Sequence, residues 1–329
     1  MLEHGGNLTA ASLKFGIPLA DWLDLSTGIN PDSYPIPEIP PAVWQKLPID
    51  DDGLIEAACA YYGCQFALPT AGSQAALQTL PKLRSPSKIA ILSPMYNEHA
   101  HAWRRCGHDV RPFSGKPDHA ILENADVVLI CNPNNPTAIQ FSTADLLDWH
   151  AQFAKRGGWL VVDEAFMDAT PERSIAQYAH LDGLFVLRSF GKFFGLAGAR
   201  VGFLLANAYW LNKAQEIIGP WALTGASRYI AQQALRDQAW QQGAREQLAA
   251  SSQRLAALLY AHGLKPAAGT ALFQFVPTLQ ATAWHQHLAK QGIWVRLFTE
   301  FSALRFGLPP EHGWATLEAA LKTFNDSQN

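Results

Sequence analysis

The sequence has no basic excess: 25 lysines and arginines against 28 aspartates and glutamates leave a formal net charge of −3. The long-range attraction that draws a protein to nucleic acid or to an anionic membrane is therefore missing. No apolar run reaches the length of a membrane span. The opening Met1-Leu2-Glu3-His4-Gly5-Gly6-Asn7 has neither a positive lead nor an apolar stretch of the secretory kind, so a cytoplasmic protein is the expectation. Cysteine is scarce. Cys59, Cys64, Cys106 and Cys131 match no zinc or redox spacing and read as buried, reduced and structural, with no metal site. Repeats, low-complexity tracts and a helix-turn-helix module are also missing. What is there is 329 residues with 48% hydrophobic content, enough to bury a large core in one big domain and a smaller one. The 11 tryptophans are scattered as packing residues are, not set out as a base-stacking platform.

Short continuous apolar runs recur at Lys88 to Leu92, Val127 to Ile130, Trp159 to Val162, Leu184 to Leu187 and Val201 to Leu205, as in strands buried on both faces. Helical text separates several of them. Ser142-Thr143-Ala144-Asp145 caps a segment on which Leu146, His150 and Phe153 share one face. This alternation predicts an α/β fold, a mostly parallel sheet between layers of helix, with ligands at the carboxyl ends of the strands. From about Ser227 the text turns to a long Ala-, Gln- and Leu-rich helix reaching His262, then to strand signals at Ala271 to Val276 and Trp294 to Phe298. Pro31 to Pro48 reads as an extended arm, because proline fixes φ and cannot support a central strand. The expected division is an amino-terminal arm over 1–48, a large domain over 49–226 and a small α+β domain with its linking helix over 227–329.

The chemistry-bearing residues stand at strand ends. Ser189-Phe190-Gly191-Lys192, followed by Arg200, sets a lysine beyond an apolar strand with a hydroxyl before it and a guanidinium after it. That set suits an aldehyde cofactor bearing a phosphate, pyridoxal phosphate. Asp163 follows the strand Trp159 to Val162, where an ionised carboxylate is costly unless it meets a cation such as a protonated pyridine nitrogen. A plain capping aspartate is the alternative. Ala71-Gly72-Ser73-Gln74 opens a helix whose free N–H groups, with the Ser73 hydroxyl, can meet a phosphate. Ser189 and Arg200 complete that anion pocket, or are a turn serine and a surface arginine. The rigid loop Cys131-Asn132-Pro133-Asn134-Asn135-Pro136 can aim Asn135 at the cofactor's phenolic oxygen, although an ordinary turn uses the same residues. Tyr96, after Ser93-Pro94-Met95, is a candidate to lie on the pyridine ring or a packing residue.

As an ordered set, Asn134-Asn135-Pro136-Thr137, Asp163-Glu164-Ala165-Phe166 and Ser189-Phe190-Gly191-Lys192 resemble fold-type I pyridoxal-phosphate enzymes of the aspartate aminotransferase superfamily. The resemblance is to the branch of histidinol-phosphate aminotransferases and threonine-phosphate decarboxylases, and runs from His4 to about Leu308. It implies a large and a small domain, a homodimer, and Lys192 as the lysine that holds the cofactor. It also implies Asp163 as the partner of the ring nitrogen, Asn135 as donor to the phenolic oxygen, Tyr96 on the ring, and Ser73, Gln74, Ser189 and Arg200 around the phosphate.

For the reaction, the openings His4-Gly5-Gly6-Asn7 and Leu25 to Pro31, with Asn30, resemble segments of the decarboxylases. Two glycines between His and Asn give a flexible backbone with polar heads able to close on an anionic substrate, or an unstructured terminus. Arg296 and Arg305 sit in apolar strand text, where an uncompensated guanidinium is unfavourable. The resemblance gives them the phosphate and carboxylate of a phosphorylated amino acid. Phe166 stands where the aminotransferases usually have tyrosine, which favours decarboxylation. The expectation is loss of carbon dioxide from L-threonine O-3-phosphate to give (R)-1-aminopropan-2-yl phosphate for cobalamin, with Lys192 reprotonating Cα. The alternatives are an aminotransferase acting on histidinol phosphate, and a non-catalytic cofactor-binding regulator, whose usual DNA-binding module and basic face are not visible. Three residues depart from the pattern: Ala138 replaces a usual glycine, Gly191 a usual hydroxyl residue, and Leu47 a tyrosine that reaches the neighbouring subunit's cofactor phosphate.

Overall fold

A computed structural model describes residues 5–326. They form two compact units: one of Tyr34–Asn135 and Ile139–Gln242, the other of the remaining described residues. In chain order the strands are β1 (Leu23–Leu25), β2 (Leu68–Ala71), β3 (Lys88–Leu92), β4 (Asp109–Phe113), β5 (Val127–Cys131), β6 (Trp159–Asp163), β7 (Leu184–Ser189) and β8 (Val201–Leu205). After these come β9 (Ala268–Thr270), β10 (Phe273–Pro277), β11 (Ile293–Phe298) and β12 (Ala303–Gly307).

In the first unit seven strands make one sheet in the order β2-β8-β7-β6-β5-β3-β4. The run β4, β3, β5, β6, β7 is parallel, while β8 and β2 are antiparallel to their neighbours. Every residue of β5, β6 and β8 is buried, which is why they read as unbroken apolar runs. The edge strands β2 and β4 escape that reading because each carries a proline, Pro69 and Pro112, tolerated only where a ladder ends. Helix Thr143–Ala154 starts with the expected cap, in which the Ser142 and Asp145 side chains each bond the other's backbone N–H. Because β5, β6 and β7 run parallel, Cys131, Asp163 and Ser189 emerge at one edge of the sheet.

Two local expectations are corrected. The proline-rich arm is not extended throughout: Pro41–Gln45 is a short helix with Pro41 in its first turn, where a missing N–H costs nothing. The helix read as continuous from Ser227 is two, Gly225–Arg236 and Gln238–Ala261. Asp237 breaks it and accepts the Trp240 N–H at 3.0 Å to start the second. Of the cysteines, all are free thiols, but only Cys64 and Cys131 are buried. Cys59 and Cys106 are half-buried, near the carboxyl ends of helices Leu54–Tyr62 and Glu98–Arg105.

The second unit holds a five-stranded sheet in the order β1-β11-β12-β10-β9, with β1 parallel to β11 and the other pairs antiparallel. Trp22 and Trp294 meet edge-on at 5.7 Å beside Ala11 and Ala289, which seats helix Leu8–Phe15 on this unit. Among the described residues no helix is long and apolar enough to cross a membrane, and no group of three or more His, Cys, Asp or Glu is placed to hold a metal.

Candidate active site

Asp163 ends β6, opposite Cys131 on β5 and Leu187 on β7, and is 4% exposed. Its Oδ1 accepts the Ala165 N–H at 3.0 Å, and its Oδ2 lies 2.8 Å from Nε2 of the buried His99. The carboxylate is thus fixed on one side by backbone and on the other by an imidazole, not engaged in capping a helix. His99 was not legible as a site residue: it lies 64 positions away and only the packing of helix Glu98–Arg105 brings it in. Burial pushes the Cys131 thiol well up, with the charge of Asp163 adding to it, so Cys131 stays a neutral neighbour.

Lys192 sits in the four-residue helix Phe190–Phe193, which begins as β7 ends at Ser189. Its Nζ is 5.7 Å from the centre of the Phe166 ring, which meets it with carbon and no hydroxyl. Phe190 and Phe194 stack at 4.5 Å, and Phe194 stacks in turn on Trp240, so the turn that carries the amine is held by aromatic packing. Gly191 has a steric reason. A Cβ there would stand 2.7 Å from the Ala197 Cα, so the hydroxyl residue common in the family pattern does not fit.

The expected phosphate residues converge around two glycines. Arg200 adopts a left-handed backbone, φ 53° and ψ 48°, and its Nη1 donates to the Ala197 carbonyl at 3.0 Å. A Cβ on Gly72, itself at φ 73°, would lie 2.6 Å from Arg200 Nη2, and one on Gly202 would collide with the Ser73 nitrogen. Only glycine at both places lets the guanidinium and the first turn of helix Ser73–Thr79 come this close, and Ser189 pairs with that same Gly202. A non-glycine residue held left-handed costs about 1 kcal/mol, which the cradle over-determines at Arg200. Helix-start N–H groups, two hydroxyls and a guanidinium together fit a phosphate.

Tyr96 donates its hydroxyl to Gln74 Oε1 at 3.2 Å, and Gln74 Nε2 donates to Glu98 at 3.2 Å. Burial, with the charges of Glu98 and Asp163, pushes the Tyr96 phenol up to about 12, so it stays a neutral donor. Asn135 is half-buried in the loop after β5, where Asn132 braces the turn through two bonds to the Phe141 backbone. Ala138 takes a left-handed φ of 56°, the conformation that the usual glycine adopts freely. Ala138→Gly is therefore expected to stabilise the protein by about 0.5 to 1 kcal/mol, read as a rise in the denaturation midpoint.

The second unit holds the remaining candidates, except His4, which lies outside the described residues. Arg296 on β11 and Arg305 on β12 are directly opposite one another, a cross-strand pair of like charges. Arg305 is 6% exposed, and burial first, then Arg296, lowers its pKa to about 10 against the opposing pull of Asp24. Its Nη2 donates to the Ser26 carbonyl at 2.6 Å. Gly5 packs on the same residue, where a Cβ would collide with the Ser26 carbonyl oxygen, and Gly6 N–H bonds Ser26 Oγ at 2.7 Å. Asn30, also buried, accepts the Asp32 N–H at 2.9 Å. Two arginines at one register position bring two anion-binding side chains to the same part of the sheet.

The family model for aminotransferase class I and II matches residues 43–324. The chain belongs to this family. Threonine-phosphate decarboxylase of Pseudomonas aeruginosa is 53% identical over 327 residues, covering 99% of either chain. Among solved structures, the L-threonine-O-3-phosphate decarboxylase of Porphyromonas gingivalis superposes with a TM-score of 0.77 at 19% identity, over 92% of this chain and 99% of that one. The histidinol-phosphate aminotransferase of Sinorhizobium meliloti, solved with pyridoxal-5'-phosphate, superposes with a TM-score of 0.78 at 19% identity, over 100% of this chain and 96% of that one. As a family member the protein has the α/β fold expected of it, with β8 and β2 as the antiparallel border of the sheet.

Proposed function

We propose that the protein decarboxylates L-threonine O-3-phosphate to (R)-1-aminopropan-2-yl phosphate and carbon dioxide, with pyridoxal phosphate held by Lys192, as a step towards cobalamin in the cytoplasm. The end-to-end likeness to the Pseudomonas aeruginosa decarboxylase carries this reading. The groups gathered at the ends of β5, β6 and β7 support it.

When bound, pyridoxal phosphate supplies an aldehyde that condenses with amines and a ring that takes up the electron pair of a bond broken at Cα. Ser73, Gln74, Ser189 and Arg200 hold its phosphate, Asn135 its phenolic oxygen, and Tyr96 its ring face. Asp163, braced by His99, keeps a negative charge at the ring nitrogen and so keeps a proton there. Arg296 and Arg305 take the two anionic groups of the substrate, and the orientation they impose decides which bond to Cα breaks. With the cofactor bound, loss of the carboxylate as neutral carbon dioxide would leave Cα in need of one proton, which Lys192 Nζ would be the group to give. The carbon surface of Phe166 beside Nζ leaves no competing phenol at that position. Gly5 and Asn30, with His4, complete the substrate side.

Supplying the holoprotein with O-phosphothreonine should release carbon dioxide and aminopropanol phosphate. Glutamate formation from histidinol phosphate and 2-oxoglutarate, without carbon dioxide, would instead make it an aminotransferase. Arg305→Met should change the stability of the fold little, since it removes a buried charge but also the donor to the buried Ser26 carbonyl. It should also raise KM for O-phosphothreonine by about 30-fold, the equivalent of about 2 kcal/mol. A KM within a factor of two of the parent would exclude Arg305 from anion binding.

A homodimer belongs to the same reading. The arm exposes Ile36, Trp44 and Leu47, with Trp44 and Leu47 each at 65%, and Ile49 follows it; such a run of apolar side chains fits burial against a second copy. Leu47 offers that copy carbon, not the hydroxyl of the usual tyrosine.

A further inference from the structure

Two residues that the mechanism does not use stand next to its two central ones. Glu164 follows Asp163 at the end of β6, and Arg188 precedes Ser189 and the helix of Lys192 at the end of β7. The ladder between these strands closes with Asp163 opposite Leu187 and with the Glu164 N–H donated to the Leu187 carbonyl at 2.9 Å. Beyond that point the two chains part, one into the Met167–Ala169 turn, the other into helix Phe190–Phe193.

An ionic clamp ties them where they part. Arg188 Nη1 meets Glu164 Oε2 at 2.6 Å and its Nη2 meets Asp168 Oδ1 at 3.0 Å, with all three side chains at most 2% exposed. Ser174 Oγ accepts a further bond from Nη1 at 3.2 Å, and Glu164 Oε1 accepts the Ile175 N–H at 2.9 Å. The guanidinium lies 4.5 Å over the Tyr62 ring. Burial opposes the guanidinium charge, but Asp168 and Glu164 outweigh it and hold the Arg188 pKa above its usual value. Burial likewise raises Glu164. Two carboxyl groups thus share one guanidinium. Stability does not call for such a cluster, since apolar residues of similar volume commonly hold a core as well or better. Its position between the chain ends that carry Asp163 and Lys192 gives it a different use.

We propose that Arg188 is a positioning residue which, by gripping Glu164 and Asp168, fixes the Asp163 carboxylate relative to the Lys192 amine. This rests on the roles given to Lys192 and Asp163 above. It assigns the clamp no contact with substrate.

Glu164→Gln and Arg188→Lys holoproteins test it. Gln keeps an acceptor for Arg188 but gives up the charge-assisted grip, and Lys keeps the charge but cannot grip two carboxyl groups in one plane. Each is expected to lower kcat by about 100-fold with KM within about threefold, as a misplaced reacting group does. In Glu164→Gln the pH midpoint of the cofactor's visible absorbance should also fall, by about one pH unit. A folded Glu164→Gln protein with full cofactor content and an unchanged kcat and absorbance midpoint would overturn the proposal. So would failure of both variants to fold, because the cluster would then be a stability element. The absorbance titration needs no substrate. Inactivity of the parent protein towards O-phosphothreonine would count against the reaction and leave this test intact.

Discussion

Lys192→Ala is expected to remove turnover of O-phosphothreonine, a loss of at least about 10⁴-fold, because in the proposed reaction the same Nζ would both hold the cofactor and return the proton to Cα. Two measurements check it together. Carbon dioxide release should fall to background, and the visible absorbance of the lysine-bound cofactor should vanish. The cofactor should still be retained through its phosphate by the Ser73, Ser189 and Arg200 cradle, since none of those groups depends on the amine. The fold should not suffer, because the helix Phe190–Phe193 is held by the Phe190, Phe194 and Trp240 stack and by the Gly191 contact. Turnover retained at even a few per cent of the parent would remove Lys192 from the mechanism.

Asp163→Asn is expected to lower kcat by about 10² to 10³-fold. The amide is the same size and keeps an oxygen for the Ala165 N–H, so the geometry of the β6 end survives. What it loses is the carboxylate that in the proposed reaction would hold a proton on the ring nitrogen, and it turns a donor or an uncharged oxygen towards His99 Nε2 in its place. The KM for O-phosphothreonine should hardly move, since Arg296 and Arg305 are untouched. An Asp163→Asn protein with kcat within threefold of the parent would show that the ring nitrogen needs no partner here, and the role of Asp163 would have to be given up.

The residues legible from the sequence share a physical setting. Asp163, Ser189 with Lys192, and the Asn132 to Asn135 loop each follow a strand buried on both faces, and such strands announce themselves as unbroken apolar runs. A polar residue directly after such a run stands at the end of its strand. The parallel pairing of β5, β6 and β7 then sets these residues side by side. Arg296 and Arg305 were legible for the opposite reason, as guanidiniums where the text called for apolar residues, although only the β11 to β12 register puts them opposite one another.

His99, Arg188, Glu164 and Asp168 were not legible as site residues. His99 lies in an alternation of His and Ala that singles out neither histidine. Arg188 reads as the end of an apolar strand, and Glu164 and Asp168 as turn residues. Gly191 looked like a departure from the family pattern and is a requirement of this fold, since its constraint is the approach of Ala197.

Local sequence alone determined the buried strands β3, β5, β6, β7 and β8, which residues stand at their ends, and hence the chemistry on offer: an amine, a carboxylate and a set of anion-binding groups. Periodicity and strand ends are properties of neighbouring residues, so one chain suffices to read them. The tertiary structure alone decided who braces whom: His99 on Asp163, Arg188 across two chain ends, Arg200 against Gly72, Arg305 beneath Ser26. These contacts join residues far apart in the chain, and their strength comes from burial and distance, which exist only once the layers have packed.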